Sequence, residues 1–207
     1  MEAAVRVIAA RGVGQARLAD IAEEAGVSLG LVQHYFRHRE RLVAEAFTSE
    51  AERVMSRWRT VSAPDDPPLE RLVMFLRLAT PSGETAAGRT HATGWAFWIE
   101  FWSAANRDPA IRAQVRELYA AYSEPFLIAI ADGLEAGAFT LRRPVQDVVD
   151  RTVALSDGLA VRTKLGDIDG ERMLVLLIDA LCDELGVPEA DRRRAMRATG
   201  DRLAPAA

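Results

Sequence analysis

Apolar residues recur at the spacing of an α-helix along nearly the whole chain. Near the start, Leu18, Ile21, Ala22 and Ala25 repeat at i, i+3, i+4 and i+7, which puts one apolar stripe on a helix of about two turns. No stretch of the sequence shows the strict alternation of apolar and polar residues that is typical of a β-strand. The pattern therefore predicts an all-α protein.

A tight turn and a second short helix are predicted directly after this first stripe. Gly26 can take the left-handed conformation that ends a helix, and Ser28 can accept hydrogen bonds from the free amide groups that begin the next one. Val32 and Phe36 give that second helix an apolar side. The opposite side of that helix is polar and partly basic, with no side chain at one position, and carries Gly30, His34 and Arg37.

Two short helices joined in this way form a helix-turn-helix, whose second helix enters the major groove of DNA. Gly30 would let the backbone approach the bases closely, Gln33 has an amide suited to adenine, and Leu31 could touch a thymine methyl group. The same spacing also fits an ordinary helical hairpin with a solvated polar face. Side chains with donors for phosphate groups are His34, Tyr35, Arg37, His38 and Arg39.

Several residues at fixed offsets resemble the DNA-binding domain of the tetracycline-repressor (TetR) family. They are Asp20-Ile21-Ala22, Ala25-Gly26-Val27-Ser28, Gly30, Tyr35-Phe36 and Arg39-Glu40-x-Leu42. The stretch GLVQHYF is similar to the branch that includes the choline-responsive regulators of betaine synthesis. The resemblance implies a three-helix helix-turn-helix domain over residues 1–46 and a helical ligand-binding and dimerisation domain over residues 47–207.

The chain also departs from the family pattern. Leu29 stands where the family often has Lys, and Arg17 stands where it often has Ser or Thr. The sequence begins inside the first helix, so we expect no basic arm ahead of it in the residues given. The complete set predicted to contact DNA is Arg17, Ser28, Leu29, Gly30, Leu31, Gln33, His34, Tyr35, Arg37, His38 and Arg39.

The net charge of −4 excludes a broadly basic surface, so affinity for DNA must come from a local patch. Between Gln33 and Arg41 the chain carries three Arg and one Glu, with His34 and His38 besides. The positive charge is therefore concentrated where the helix-turn-helix needs it.

Aromatic residues of the predicted ligand-binding domain suggest a site for a small-molecule effector. Trp95, Trp98 and Trp102 are spaced by three and four residues, which puts them on one side of a helix, and Pro125 is expected to open a neighbouring helix. Such a stripe also fits plain core packing. We expect a mostly apolar ligand, with an organic cation as one option, because aromatic rings and the carboxylates of Glu100 and Asp157 could attract cations. The two carboxylates also fit hydrogen-bonded structure or a partly exposed edge. The predicted ligand-binding residues are Phe75, Trp95, Trp98, Trp102, Tyr119, Tyr122 and Phe126.

Dimerisation is predicted through two helices, Pro144 to Leu165 and Glu171 to Leu185. The second is apolar on two sides, and small residues of the first, at Thr152, Ser156 and Ala160, would allow close approach of another copy. The family resemblance also implies a four-helix interface from these helices. A homodimer of this kind would bind a pseudo-palindromic operator.

Signals of catalysis and of metal or cofactor binding are missing from the sequence. His34, His38, His91 and Cys182 have no metal-ligand spacing, and no phosphate loop or nucleophile motif occurs, so we predict no catalytic residues, no metal and no cofactor. A lone Cys and no apolar run of roughly 18 residues favour a cytoplasmic protein without membrane contact. We predict a ligand-responsive transcriptional repressor; the alternative is a small all-α enzyme or ligand carrier without specific DNA binding.

Overall fold

The computed structural model describes residues 1–80 and 91–203, with side chains from Trp95 onward in the second range. These residues form helices and no strand, which confirms the all-α prediction. The helices are α1 (Glu2–Arg11), α2 (Leu18–Ala25), α3 (Leu29–Tyr35), α4 (Arg39–Val61), α5 (Pro68–Ala79), α6 (His91–Ala105), α7 (Pro109–Glu135), α8 (Val145–Lys164), α9 (Gly170–Glu184) and α10 (Glu189–Leu203).

Contacts divide the described residues into two compact units. The first contains α1, α2, α3, α4 up to Val54, α6, and α7 up to Tyr119; the second contains the remaining helical segments. The predicted boundary after residue 46 keeps α1 to α3 together but leaves out α6, which packs against α1. The sequence pattern does not reveal this association, because α6 is far from α1 in the chain and joins the first unit only through tertiary packing.

An aromatic core holds α6 to the first unit. Phe47 of α4 stacks on Phe101 with ring centroids 3.7 Å apart and lies 4.4 Å from Phe97. All three side chains are almost completely buried, together with Ile8 of α1. Since α6 is apolar on nearly all sides, this burial agrees with the expectation that such a helix lies inside the protein.

The second unit is built around α5, the later part of α7, and α8, α9 and α10. Met74, Ile130, Leu174 and Leu177 lie among its fully buried side chains. α7 continues through Pro125, which the pattern predicts to open the helix. Cys182 is 1% exposed, and burial raises the pKa of its thiol to about 11, so the thiol stays protonated at neutral pH.

The small residues that we expected on the outer face of α8 lie on its inner face. Thr152, Ser156 and Ala160 are buried within the second unit, where α8 packs on α9. They allow close packing of these two helices of one chain and are unavailable to another copy. The outer face of α8 carries a different stripe, which we call the outer α8 stripe: Ala154, Gly158, Val161 and Leu165.

Within the two described ranges, no helix combines the length and apolarity that crossing a bilayer requires.

Candidate DNA-binding site

Local hydrogen bonds fix the α2–turn–α3 segment. Asp20 accepts a hydrogen bond from the backbone N–H of Arg17, at 3.1 Å, where α2 begins. α2 ends at Gly26, which has a φ of 67°, and Ser28 Oγ accepts from the N–H of Leu31 at 3.2 Å. The two positions singled out in the sequence therefore end one helix and begin the next, as predicted.

α3 presents an unusually apolar surface to solvent. Val32 is the buried residue of this fully described helix, whereas Leu29, Leu31 and Tyr35 are 39%, 46% and 64% exposed. A Cβ atom added at Gly30 would meet no atom within 4 Å, so packing inside the chain does not require glycine there. Large exposed apolar residues in a short helix indicate a surface that binds another molecule.

Most of the predicted polar contacts surround this surface. Gln33, His34, Arg37 and His38 are exposed, as is Arg17 before α2. The rings of His34 and Tyr35 meet edge to face, with centroids 5.3 Å apart. The hydrogen-bond donors of the His and Arg side chains and the amide of Gln33 therefore border the apolar residues of α3. This arrangement suits phosphate contacts around a set of base contacts.

Arg39 differs from the other predicted phosphate contacts. Its Nε donates to the backbone carbonyl of Ala16 at 2.7 Å, and the side chain is partly buried. This bond ties the start of α4 to the residue just before α2, so Arg39 supports the helix-turn-helix from within. The sequence contains no periodic signal for a contact between a side chain and a backbone carbonyl 23 positions away.

Glu100 also has a role that the sequence does not reveal. Its Oε2 accepts a hydrogen bond from the N–H of Val13 at 3.1 Å, between α1 and α2. The adjacent Gly12 has a φ of 81°, and a Cβ atom there would lie 2.8 Å from Glu100 Oε2. Of the two interpretations of this carboxylate, attraction of a cationic ligand and hydrogen-bonded structure, this contact supports the second, because it joins Glu100 to the backbone of the first unit.

The seven predicted ligand-binding residues fall into two groups, one in each unit. In the first unit, the Trp95 and Trp102 ring centroids lie 6.2 Å apart, and Trp98 and Tyr119 pack against the aromatic core. In the second unit, the Phe75 centroid lies 5.6 Å from Tyr122, 4.7 Å from Phe126 and 5.9 Å from Trp58. Trp58 was absent from the predicted set, although it lies on the apolar stripe of α4.

Among the side chains that the structure describes, no group of three or more His, Cys, Asp or Glu lies close enough together to hold a metal ion.

Two family models match the chain. Residues 1–46 match the tetR family of bacterial regulatory proteins, and residues 68–186 match the BetI-type transcriptional repressor C-terminal domain. Among curated proteins, the chain is 26% identical over 200 residues to the HTH-type transcriptional regulator PksA of Bacillus subtilis. The aligned region covers 88% of each chain. It is 27% identical over 168 residues to the HTH-type transcriptional regulator BetI of Rhizobium meliloti. This aligned region covers 80% of this chain and 76% of BetI.

Solved structures of regulators share the fold. A transcriptional regulator from Saccharomonospora viridis in complex with choline has a TM-score of 0.74 and 25% identity over 86% of this chain and 91% of its own. A TetR-family regulator from Rhodococcus has a TM-score of 0.76 and 24% identity over 89% and 95%. These are families of transcriptional regulators, not of enzymes. The chain therefore belongs to the TetR family of bacterial transcriptional regulators, with a C-terminal domain of the BetI type.

Proposed function

We propose that this regulator represses transcription by placing α3 in the major groove of a pseudo-palindromic operator, as a homodimer that responds to a small-molecule effector. The observation that carries the proposal is the outer surface of α3, where exposed apolar side chains surround Gln33 and no intramolecular packing explains Gly30. Because operators lie on bacterial DNA, the proposal places the protein in the cytoplasm.

Replacing Gln33 by Ala is expected to relax base preference at one operator position by roughly 1–3 kcal/mol, because the amide can bond to adenine N6 and N7. Tyr35→Phe should weaken binding to all DNA sequences alike, because the Tyr35 hydroxyl is expected to contact a phosphate group. Selection of binding fragments from random DNA, followed by affinity measurement at fixed salt, tests both. Gln146→Ala, at an exposed site on α8, is the matched control. An unchanged selected sequence for Gln33→Ala would remove this residue from the base-contacting set.

The outer α8 stripe supports the dimer part of the proposal. Val161 and Leu165 are 39% and 78% exposed in the single chain, and a Cβ atom at Gly158 would meet nothing within 4 Å. Apolar side chains beside a glycine allow two copies of α8 to approach closely across a two-fold axis. That symmetry would present two α3 helices to major-groove segments about 34 Å apart.

The effector is proposed to contact the aromatic residues named from the sequence, through Phe75, Tyr122 and Phe126 in the second unit or through the Trp95, Trp98, Trp102 and Tyr119 group in the first. Support comes from the ring clusters and from the choline complex of the similar Saccharomonospora viridis regulator. Binding would act on DNA affinity through its preference for one of two protein states.

Thermal-shift screening of aromatic and other apolar compounds that carry a quaternary ammonium, an amine, a neutral amide or an acid is expected to give hits that raise the melting temperature. Phe126→Leu should reduce the shift if the second-unit group binds the effector, and Trp102→Leu should reduce it if the first-unit group does. Each variant removes an aromatic face that can attract a cation at about 0.5–2 kcal/mol. Hits that bind both variants undiminished would show that neither group binds the effector.

A further inference from the structure

Three buried hydrogen-bonding atoms without partners lie at the corner between α4 and α5. Among the described residues, Trp58 Nε1, Ser62 Oγ and Arg71 Nε have no hydrogen-bond partner and almost no accessible surface. Ser62 and Arg71 are each 6% exposed. Leaving a buried polar group unpaired costs free energy, so native proteins rarely keep several such groups in one place without a function.

Helix geometry predicts that the three side chains lie on one side of this corner. Trp58 and Ser62 are one turn apart, and the N–H of Ser62 still donates to the Trp58 carbonyl at 3.0 Å. Arg71 and Phe75 are one turn apart on α5, and the Phe75 ring meets the Trp58 ring. Because α4 and α5 are joined by a short turn and the Trp58 and Phe75 rings meet, an antiparallel course of the two helices is expected to bring Ser62, one turn after Trp58, near Arg71, one turn before Phe75.

Arg71 is held in place by its other nitrogens. One Nη donates to the Pro64 carbonyl at 3.3 Å, and the other pairs with Asp132 of α7. Arg202 of α10 supports the same corner by pairing with Asp66 at 2.7 Å and with Glu70. The guanidinium is therefore fixed and its charge is already matched by a carboxylate, while Nε stays free to donate.

These observations define the complementary ligand group. Trp Nε1 and Arg Nε can only donate hydrogen bonds, so their partner must accept them, which an ammonium group cannot do. A carboxylate would add a second negative charge beside the buried Arg71 guanidinium, whose charge Asp132 already matches, and an unmatched buried charge is costly. A neutral carbonyl oxygen has two lone pairs and no charge, so it matches the two donors, and the N–H of an amide can in addition donate to Ser62 Oγ.

We propose that the corner formed by Trp58, Ser62 and Arg71 is the polar subsite of the effector pocket and binds a neutral carbonyl oxygen, with the apolar body of the ligand against Phe75, Tyr122 and Phe126. The inference rests on the proposed function, because it specifies the effector of that regulator. The donors are closed off in this structure, so binding requires the end of α4 to separate from α5. The ligand is therefore coupled to a movement of α4, the helix that follows α3 in the chain.

A matched series of probes tests the subsite: 2-phenylacetamide, phenylacetate, 2-phenylethylamine and ethylbenzene share an aromatic body and differ in the polar group. The full-length protein is labelled with ¹⁵N, and the indole N–H signal of Trp58 is assigned with Trp58→Phe. The amide is expected to bind most tightly and to move the Trp58 indole proton downfield as it becomes hydrogen-bonded. Ser62→Ala should weaken amide binding roughly three- to ten-fold, the range of one hydrogen bond, and Ser56→Ala, an exposed serine one and a half turns earlier on α4, should not.

The proposal is overturned if the amine or the carboxylate binds as tightly as the amide, or if Ser62→Ala and Ser56→Ala behave alike. It is also overturned if the Trp58 indole proton is already hydrogen-bonded without ligand and no probe changes its chemical shift. A bound water molecule would then already accept the hydrogen bond from Trp58 Nε1. Operator affinity is measured on the same preparations. Retained operator binding with any of these outcomes removes the subsite alone, whereas lost operator binding would contradict the proposed function.

Discussion

Val161→Arg is expected to convert the dimer into folded monomers that bind the operator on the order of 100-fold or more weakly. Val161 lies at the middle of the outer α8 stripe and is 39% exposed in the single chain, so arginine fits the isolated unit without strain. In a two-fold interface the two arginines would face each other, and like charges so placed cost several kcal/mol. Operator affinity falls because each monomer then holds one half-site alone.

Sedimentation velocity at micromolar concentration, circular dichroism and operator binding on the same sample measure this result. Ala190→Arg, at an exposed position of α10, is the control that adds the same charge away from the stripe. A Val161→Arg protein that remains dimeric would show that the outer α8 stripe is not the interface.

Leu177→Arg provides the opposite case on α9. Leu177 is 0% exposed, so an arginine there is an unpaired charge in the core of the second unit. Such substitutions belong to the small class that costs more than about 4 kcal/mol. This variant is therefore expected to unfold, and loss of dimers in it would carry no information about the interface.

α8 shows how far the sequence could define the site and where it could not. The helix itself is predicted by its periodicity, but it carries two stripes of small or apolar residues, one through Thr152, Ser156 and Ala160 and the other along its outer face. Either stripe can pack on α9. The choice depends on which one fits the tertiary neighbours, and the sequence pattern of α8 alone does not contain that information.

The helix-turn-helix was predictable in detail because its signals are local. Gly26 and Ser28 act on amides and carbonyls within four residues of themselves, so their chemistry can be inferred directly. The role of Glu100 stayed open for the converse reason. Its partner, the N–H of Val13, is 87 positions away in the chain, and an acid on an apolar helix looks the same whether it binds a ligand or a backbone amide.

Gly12→Ala is expected to destabilise the first unit, which carries the helix-turn-helix, and to weaken operator binding. At a φ of 81° and a ψ of 155° the backbone of Gly12 is in a region that is essentially restricted to glycine, where another residue costs about 1–3 kcal/mol. The new Cβ would also lie 2.8 Å from Glu100 Oε2 and displace the carboxylate from Val13, which leaves that N–H without its acceptor for about another 1–3 kcal/mol. Urea unfolding and operator titration measure the two effects.

A double-mutant cycle with Glu100→Ala separates strain at Gly12 from loss of the carboxylate contact. Glu100→Ala alone removes the acceptor of the Val13 N–H, so the double variant should lose that bond once, and its destabilisation should fall short of the sum of the single variants by about 1–3 kcal/mol. Gly14→Ala is the control, because a Cβ there meets nothing within 4 Å and its φ is not positive. Additive single effects would show that Glu100 does not hold the junction of α1 and α2. Non-additive effects on the free energy of unfolding, together with a parallel loss of operator affinity, would mean that α6 positions the helix-turn-helix through the Glu100 carboxylate.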